Sequence, residues 1–176
     1  KDLGKLQDAE LYTRKAIEIK TDYQEAHLNL GNILKDLGNL QEAELSTRKA
    51  IEIKPDYAEA HYNLGIILRD LDKLQEAELS QRKAIELNPD DAKAYEALGL
   101  VLIEKNEYEL SLKYFSKSAK LHNDRKKAAS NNKRFNIISK AKIEHDIEQF
   151  EYLASKNYDC KKFTDLAILY KKVASE

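Results

Sequence analysis

Proline, glycine and cysteine are scarce in this chain of 176 residues, and each scarcity excludes something. With two Pro and five Gly, no segment gathers the small residues whose amides could cradle a phosphate, and neither a GxGxxG nor a GxxxxGK[ST] string occurs. One cysteine, Cys160, cannot form an intrachain disulfide, so a reducing, cytoplasmic setting is the expectation. Its neighbours Lys161 and Lys162 favour a thiolate, but no histidine stands at a spacing that would make it a base. No apolar run approaches the roughly 20 residues that cross a bilayer, so no membrane span is expected. Charge of one sign is also missing: 30 basic and 31 acidic side chains leave a net charge of -1, which argues against nucleic acid as a partner. The chain starts inside a repeat and without Met, so any leader peptide would lie upstream of Lys1.

What is abundant is repetition. QEAHLNLGNILKDLGNLQEAELSTRKAIEIKPDY, residues 24–57, is followed at once by AEAHYNLGIILRDLDKLQEAELSQRKAIELNPDD, residues 58–91, identical at 24 of 34 positions. Residues 92–125 match the second unit at 8 of 34 positions, among them Leu98 and Gly99. Residues 1–23 correspond to the back half of an earlier unit. A 34-residue period is one helical hairpin, too small to bury its own apolar face and stable when stacked on copies of itself. The expected fold is an all-α solenoid of antiparallel helix pairs.

The pattern resembles the tetratricopeptide repeat. The Leu-Gly pair of that family stands at Leu30 and Gly31, Leu64 and Gly65, Leu98 and Gly99; its small residues at Ala43, Ala50, Ala77 and Ala84; its closing proline at Pro55 and Pro89. The departures are local. His27, His61 and Tyr95 stand where the family often has Trp, Thr47 and Gln81 replace an aromatic that returns as Phe115, and Ser111, Ser118 and Asn123 replace two alanines and the proline. The resemblance implies a right-handed superhelix used as a protein-interaction scaffold.

The motif residues also have physical reasons of their own. Gly and Ala let two helices cross closely, where a larger side chain would separate the backbones. Pro55 and Pro89 lack an amide hydrogen and bar helical geometry at the residue before them, so each ends a helix. Leu45, Lys49, Ile51 and Glu52 mix apolar and charged residues at helical spacing, which predicts one buried and one wet face.

Beyond the repeats the character changes. Residues 126–136 form a basic, polar linker, and Arg125 to Lys142 holds seven cations and no acid, with Phe135 beside them. Ile143, Ile147, Phe150 and Ala154 share one helical face and Phe163, Leu166, Ala167, Tyr170 and Val173 another, which predicts a helical hairpin over 137–176 that caps the array.

No catalytic constellation, metal site or cofactor site is expected. His145 and Asp146 are adjacent and point about 100° apart on a helix, so neither can hold the other in a relay. His27 and His61 lack a third ligand. The family resemblance instead implies a concave groove lined by first helices: Leu28, Asn29, Asn32 and Lys35, then Tyr62, Asn63, Ile66 and Arg69, then Glu96, Leu100 and Ile103. Asn29 and Asn63 stand where some members carry an asparagine ladder that clamps a peptide backbone, a carboxamide offering both a donor and an acceptor. The ladder breaks at Ala97.

The leading expectation is therefore a module that binds a protein or peptide in its groove. One alternative is a substrate-recruiting arm of a larger enzyme, because KAKIEHDIEQFEYLASKNYD resembles the stretch joining such repeats to a catalytic domain in bacterial proteins, iron and 2-oxoglutarate oxygenase-like ones included. Another is self-assembly, a homodimer through the open N-terminal helix at 5–20, which offers Leu6, Ala9, Ala16 and Ile17, the larger ones worth roughly 1.5–3 kcal/mol each when buried.

Overall fold

A hairpin whose loop contains a residue at positive φ ends one helix sharply and turns the chain back. Gly38, Asp72 and Asn106, each 34 residues apart, have φ of 84, 59 and 63°. At each, the next amide reaches back into the finished helix: Asn39 N donates to the Leu34 carbonyl, Lys73 N to Leu68 and Glu107 N to Leu102, all at 2.8 Å. The left-handed residue thus satisfies carbonyls that a helix end leaves open.

In a computed structural model that describes residues 3–128, seven helices follow this rhythm: α1 (Leu3–Ile19), α2 (Gln24–Asp36), α3 (Leu40–Ile53), α4 (Ala58–Asp70), α5 (Leu74–Leu87), α6 (Ala92–Glu104) and α7 (Tyr108–Ala128). The first helices α2, α4 and α6 begin 34 residues apart, as the repeat predicts. No strand occurs among the described residues. The fold is all-α, built from helix pairs. α7 runs three residues into the stretch expected as linker. The remainder of that linker and the predicted hairpin over 137–176, with Cys160 and the His145–Asp146 pair, lie outside the described residues.

The chain divides into two units, Lys1–Pro89 and Asp90–Glu176. In the first, each first helix packs on the second helix of its own hairpin and on the one before. Leu30, Leu34, Ala43 and Ile67 form one buried cluster, with Ile17 and Leu71 against it. Leu28, Ala50 and Ala60 form another, flanked by Ile51 and Tyr57. Both draw on successive hairpins, which is why one repeat alone would leave its apolar face in water. α2 also lies directly against α4, whereas no such close approach joins α3 to α5 among the described residues. Those second helices meet through long side chains, Arg48 reaching Glu76 and Lys73 reaching Glu44. Within this unit the first-helix side is therefore the inner one.

The glycines mark the tightest crossings. A Cβ on Gly65 would fall 2.7 Å from Gln81 Cδ, and one on Gly31 would meet the Thr47 hydroxyl. The second unit repeats the arrangement with Gly99 against the fully buried ring of Phe115. There Ser118, at the register of Ala84, is buried too, and its hydroxyl donates to the Ala92 carbonyl at 2.8 Å.

Two sequence expectations need correction. Leu45 is 68% exposed and belongs to the wet face of its helix. Ile17, offered as part of an open face on α1, instead packs against the Leu30 and Leu34 cluster.

Candidate functional site

On α2 the side chains that stay accessible at helical spacing are Glu25, Asn29, Asn32 and Asp36; on α4 they are Glu59, Asn63, Ile66 and Asp70. Spaced i, i+4, i+7 and i+11, each set forms one stripe. Asn29 is exposed, and Asn32, Asn63 and Ile66 are half-buried. Neither the Asn29 nor the Asn63 carboxamide has a hydrogen-bond partner among the described residues. Lys35, Tyr62 and Arg69, half-buried, flank the stripes. Lys35 Nζ lies 3.8 Å from Asp36, and Arg69 Nη2 lies 3.0 Å from Asp70.

Leu28 is not an accessible groove residue. It is 2% exposed because Ala50 and Ala60, from two different helices, close over it. In the second unit Glu96, Leu100 and Ile103 of α6 are half-buried and Ala97 is buried. The reading of the sequence passed over the acids at the stripe ends, Glu25, Asp36, Glu59 and Asp70. Their signal was present: Glu25 recurs 34 residues on as Glu59, and Asp36 as Asp70, at the edges of the first helices.

The two histidines have structural work. His27 Nε2 donates to the Thr21 carbonyl and His61 Nε2 to the Pro55 carbonyl, each at 2.9 Å, tying the first helix to the loop before it. No grouping of His, Cys, Asp or Glu suited to a metal ion occurs among the described residues, and no described helix is long and apolar enough to cross a membrane.

A second feature, absent from the sequence reading, is a repeated cleft on the second-helix side. Between α1, α2 and α3 a cleft of ≈ 390 Å³ is lined by Arg14, Ile17, His27, Leu30, Leu45 and Lys49. Between α3, α4 and α5 a cleft of ≈ 410 Å³ is lined by Arg48, Ile51, His61, Leu64, Leu79 and Lys83, each 34 residues further on. The rims are ion-paired. Arg14 donates to Glu10 and Glu42, both at 2.8 Å, and these bonds hold its pKa above the usual guanidinium value. Burial works against the charge of Arg48, but Glu44 and Glu76 outweigh it and its pKa is also raised. Lys49 pairs with Glu52 at 2.8 Å and Lys83 with Glu86 at 2.7 Å. A leucine recurring every 34 residues on a charged face, Leu11, Leu45 and Leu79, was the signal for these clefts.

In the second unit a cleft of ≈ 410 Å³ between α6 and α7 is lined by Tyr95, Lys113, Tyr114, Ser116, Lys117 and Lys120. The two tyrosine rings lie 6.2 Å apart, tilted by 32°, and Lys117 Nζ is 6.0 Å from the Tyr95 ring centre. Burial foremost, then Asp90 and Tyr114, push the Tyr95 hydroxyl pKa up.

Comparison with known proteins agrees with this geometry. Family models described as TPR repeat and Tetratricopeptide repeat match residues 31–72, 58–91 and 81–113. No curated protein matches the chain. Among solved structures, a crystal structure of MamA is similar at 26% identity and a TM-score of 0.68, over 97% of this chain and 87% of that one. MamA 41-end from Desulfovibrio magneticus RS-1 aligns with a TM-score of 0.71 at 20% identity, over 98% of this chain and 85% of that one, a likeness of fold alone. An O-GlcNAc transferase mutant from Thermobaculum terrenum is 27% identical with a TM-score of 0.57, over 64% of this chain and 23% of that enzyme.

Proposed function

This chain belongs to the tetratricopeptide repeat family, and from that premise we propose that it is an interaction scaffold whose α2–α4 strip holds an extended peptide. The observation that carries the reading is the pair of carboxamides on Asn29 and Asn63, unpartnered among the described residues, on two helices that lie side by side. Each amide can give and take one hydrogen bond with a peptide group without reading its side chain. Ile66 and the ring of Tyr62 supply apolar contact, since Leu28 is closed off. Glu25 and Glu59, at one end of the stripes, favour a peptide with a basic residue at that flank; at the other end Asp36 and Asp70 already face Lys35 and Arg69.

The test begins by selecting peptides on the immobilised chain and measuring their affinity by fluorescence polarisation. Counting about 1 kcal/mol net for each amide as a whole, removing two with Asn29→Ala and Asn63→Ala weakens binding by about 2 kcal/mol, roughly 30-fold. The melting temperature stays nearly unchanged, because neither amide supports the fold. Unaltered affinity in the double variant retires the clamp.

A second reading, association of two copies through α1, is favoured by one observation: α1 buries none of its residues and exposes Leu3, Leu11, Tyr12 and Ile19. Light scattering that reports a monomer at every concentration removes it. The reading as a recruiting arm of an enzyme rests on residues 140–159, outside the described part of the chain.

A further inference from the structure

We propose that the cleft between α6 and α7 is a second binding site, distinct from the first-helix strip, and that it takes an acidic peptide segment. The cleft occupies the same place in its hairpin as the one lined by His61, Leu79 and Lys83, but there Tyr95 stands for His61, Lys113 for Leu79, Tyr114 for Ser80 and Lys120 for Glu86. Lysine is kept only at the Lys83 position, as Lys117. An apolar and ion-paired rim has become a cationic and aromatic one.

The charge no longer closes on itself. In the first unit each rim lysine has its own acid three residues on, Lys49 with Glu52 and Lys83 with Glu86. At the same register Lys117 faces Lys120. Lys113, Lys117 and Lys120 lie at i, i+4 and i+7, on one face of α7, and none is ion-paired among the described residues. Like charges at this spacing cost a helix a few tenths of a kcal/mol per pair instead of stabilising it. Asp90 acts on the Tyr95 hydroxyl at one side of the cleft, and no ion pair among the described residues balances the three ammonium groups. An anion from outside would.

Geometry selects the anion. Seven residues of helix separate Lys113 from Lys120, about 10 Å along the axis, which a single phosphate cannot bridge. A peptide extended as polyproline II repeats its face every three residues and rises about 9 Å over them, so carboxylates at i and i+3 lie on one side and reach both ends of the row. Lysine suits this pairing, being a mobile point charge that asks for no bidentate geometry. Between the ammonium groups the floor is the half-buried Tyr95 and Tyr114 rings, a seat for one aliphatic side chain of the same peptide.

The test uses the full chain and a fluorescein-labelled decapeptide carrying glutamates at three-residue spacing around a central leucine, read by fluorescence polarisation. The expected result is saturable binding that weakens as salt rises. Lys113→Glu with Lys117→Glu and Lys120→Glu weakens it at least about tenfold, and replacing the same three by Gln, which keeps the helix propensity, weakens it in the same direction. Lys15→Glu with Lys20→Glu and Lys54→Glu, an equal change of net charge elsewhere, leaves affinity within about twofold. The proposal is overturned if the peptide does not bind, if the remote triple weakens it as much, or if inorganic phosphate or a single-stranded oligonucleotide displaces it at comparable concentration.

Discussion

Replacing Gly99 by Ala sets helix propensity directly against packing. In an unobstructed helix the change gains about 1 kcal/mol, because alanine is the better helix former. Here the added Cβ would lie 2.8, 2.9 and 3.0 Å from three atoms of the Phe115 ring, where carbon atoms at rest sit about 3.5–4.0 Å apart. The ring is fully buried and cannot swing into solvent. Relief therefore requires α7 to move away from α6 by several tenths of an ångström, loosening the whole hairpin. Overpacking costs about 1–3 kcal/mol, and three close atoms against an immobile ring place this case at the upper end. The net loss is about 2 kcal/mol, which for a urea slope of about 2 kcal/mol/M lowers the midpoint by about 1 M. Far-UV circular dichroism during urea unfolding reads it. Phe115→Leu in the Gly99→Ala background should cost less than in the parent, since it removes the obstruction. A neutral or stabilising Gly99→Ala would refute the argument and show that the ring yields.

Asp72 holds a φ of 59° where the preceding hairpin has Gly38, so Asp72→Gly should raise stability by about 0.5–1 kcal/mol, seen as a higher melting temperature. Burial raises the pKa of the Glu44 carboxyl, but hydrogen bonds from Lys73 and Arg48 outweigh it and hold the value below the usual carboxylate range. A depressed folded-state pKa gives stability that is present above the unfolded value near 4.5 and lost as pH falls through the folded one. The wild type should therefore lose stability below about pH 4.5 faster than Glu44→Gln, as denaturant midpoints taken across that window would show.

The period made the fold legible. Helix starts 34 residues apart, the glycine facing position 47, 81 or 115, and the prolines before α4 and α6 all follow from spacing and from the chemistry of small residues. The surface was less legible, because exposure depends on neighbours from other helices. Leu28 has the same helical phase as Lys35, yet Ala50 and Ala60 bury it. Leu45 and Leu79 look like core residues and are each 68% exposed, since in an array whose first helices approach each other the second helices are held apart at this face. A cleft built by three helices has no linear motif; only a recurring leucine among charges hints at it.

Differences between repeats within one chain fall into two kinds, and the distinction bears on function. Across Thr47, Gln81 and Phe115 the side chain facing the glycine changes, and the hairpin keeps the glycine each time. Where Ala84 gives way to Ser118, the new hydroxyl finds the Ala92 carbonyl. That change is compensated inside the hairpin. At Gln81 the Nε2 group donates to the Tyr62 carbonyl at 3.0 Å, whereas Gln81 Oε1 and Ser111 Oγ are buried without a partner among the described residues, a cost of about 1–3 kcal/mol each that is borne within the interior. The change from Glu86 to Lys120 has no counterpart of that sort: it removes the partner of the neighbouring lysine and adds a like charge. Its cost of a few tenths of a kcal/mol is small beside the 5–15 kcal/mol that typically separates folded from unfolded chains, so folding neither demands the change nor forbids it. An uncompensated charge of this size is free to answer to something outside the chain, and of the three clefts only the one between α6 and α7 carries it among the described residues.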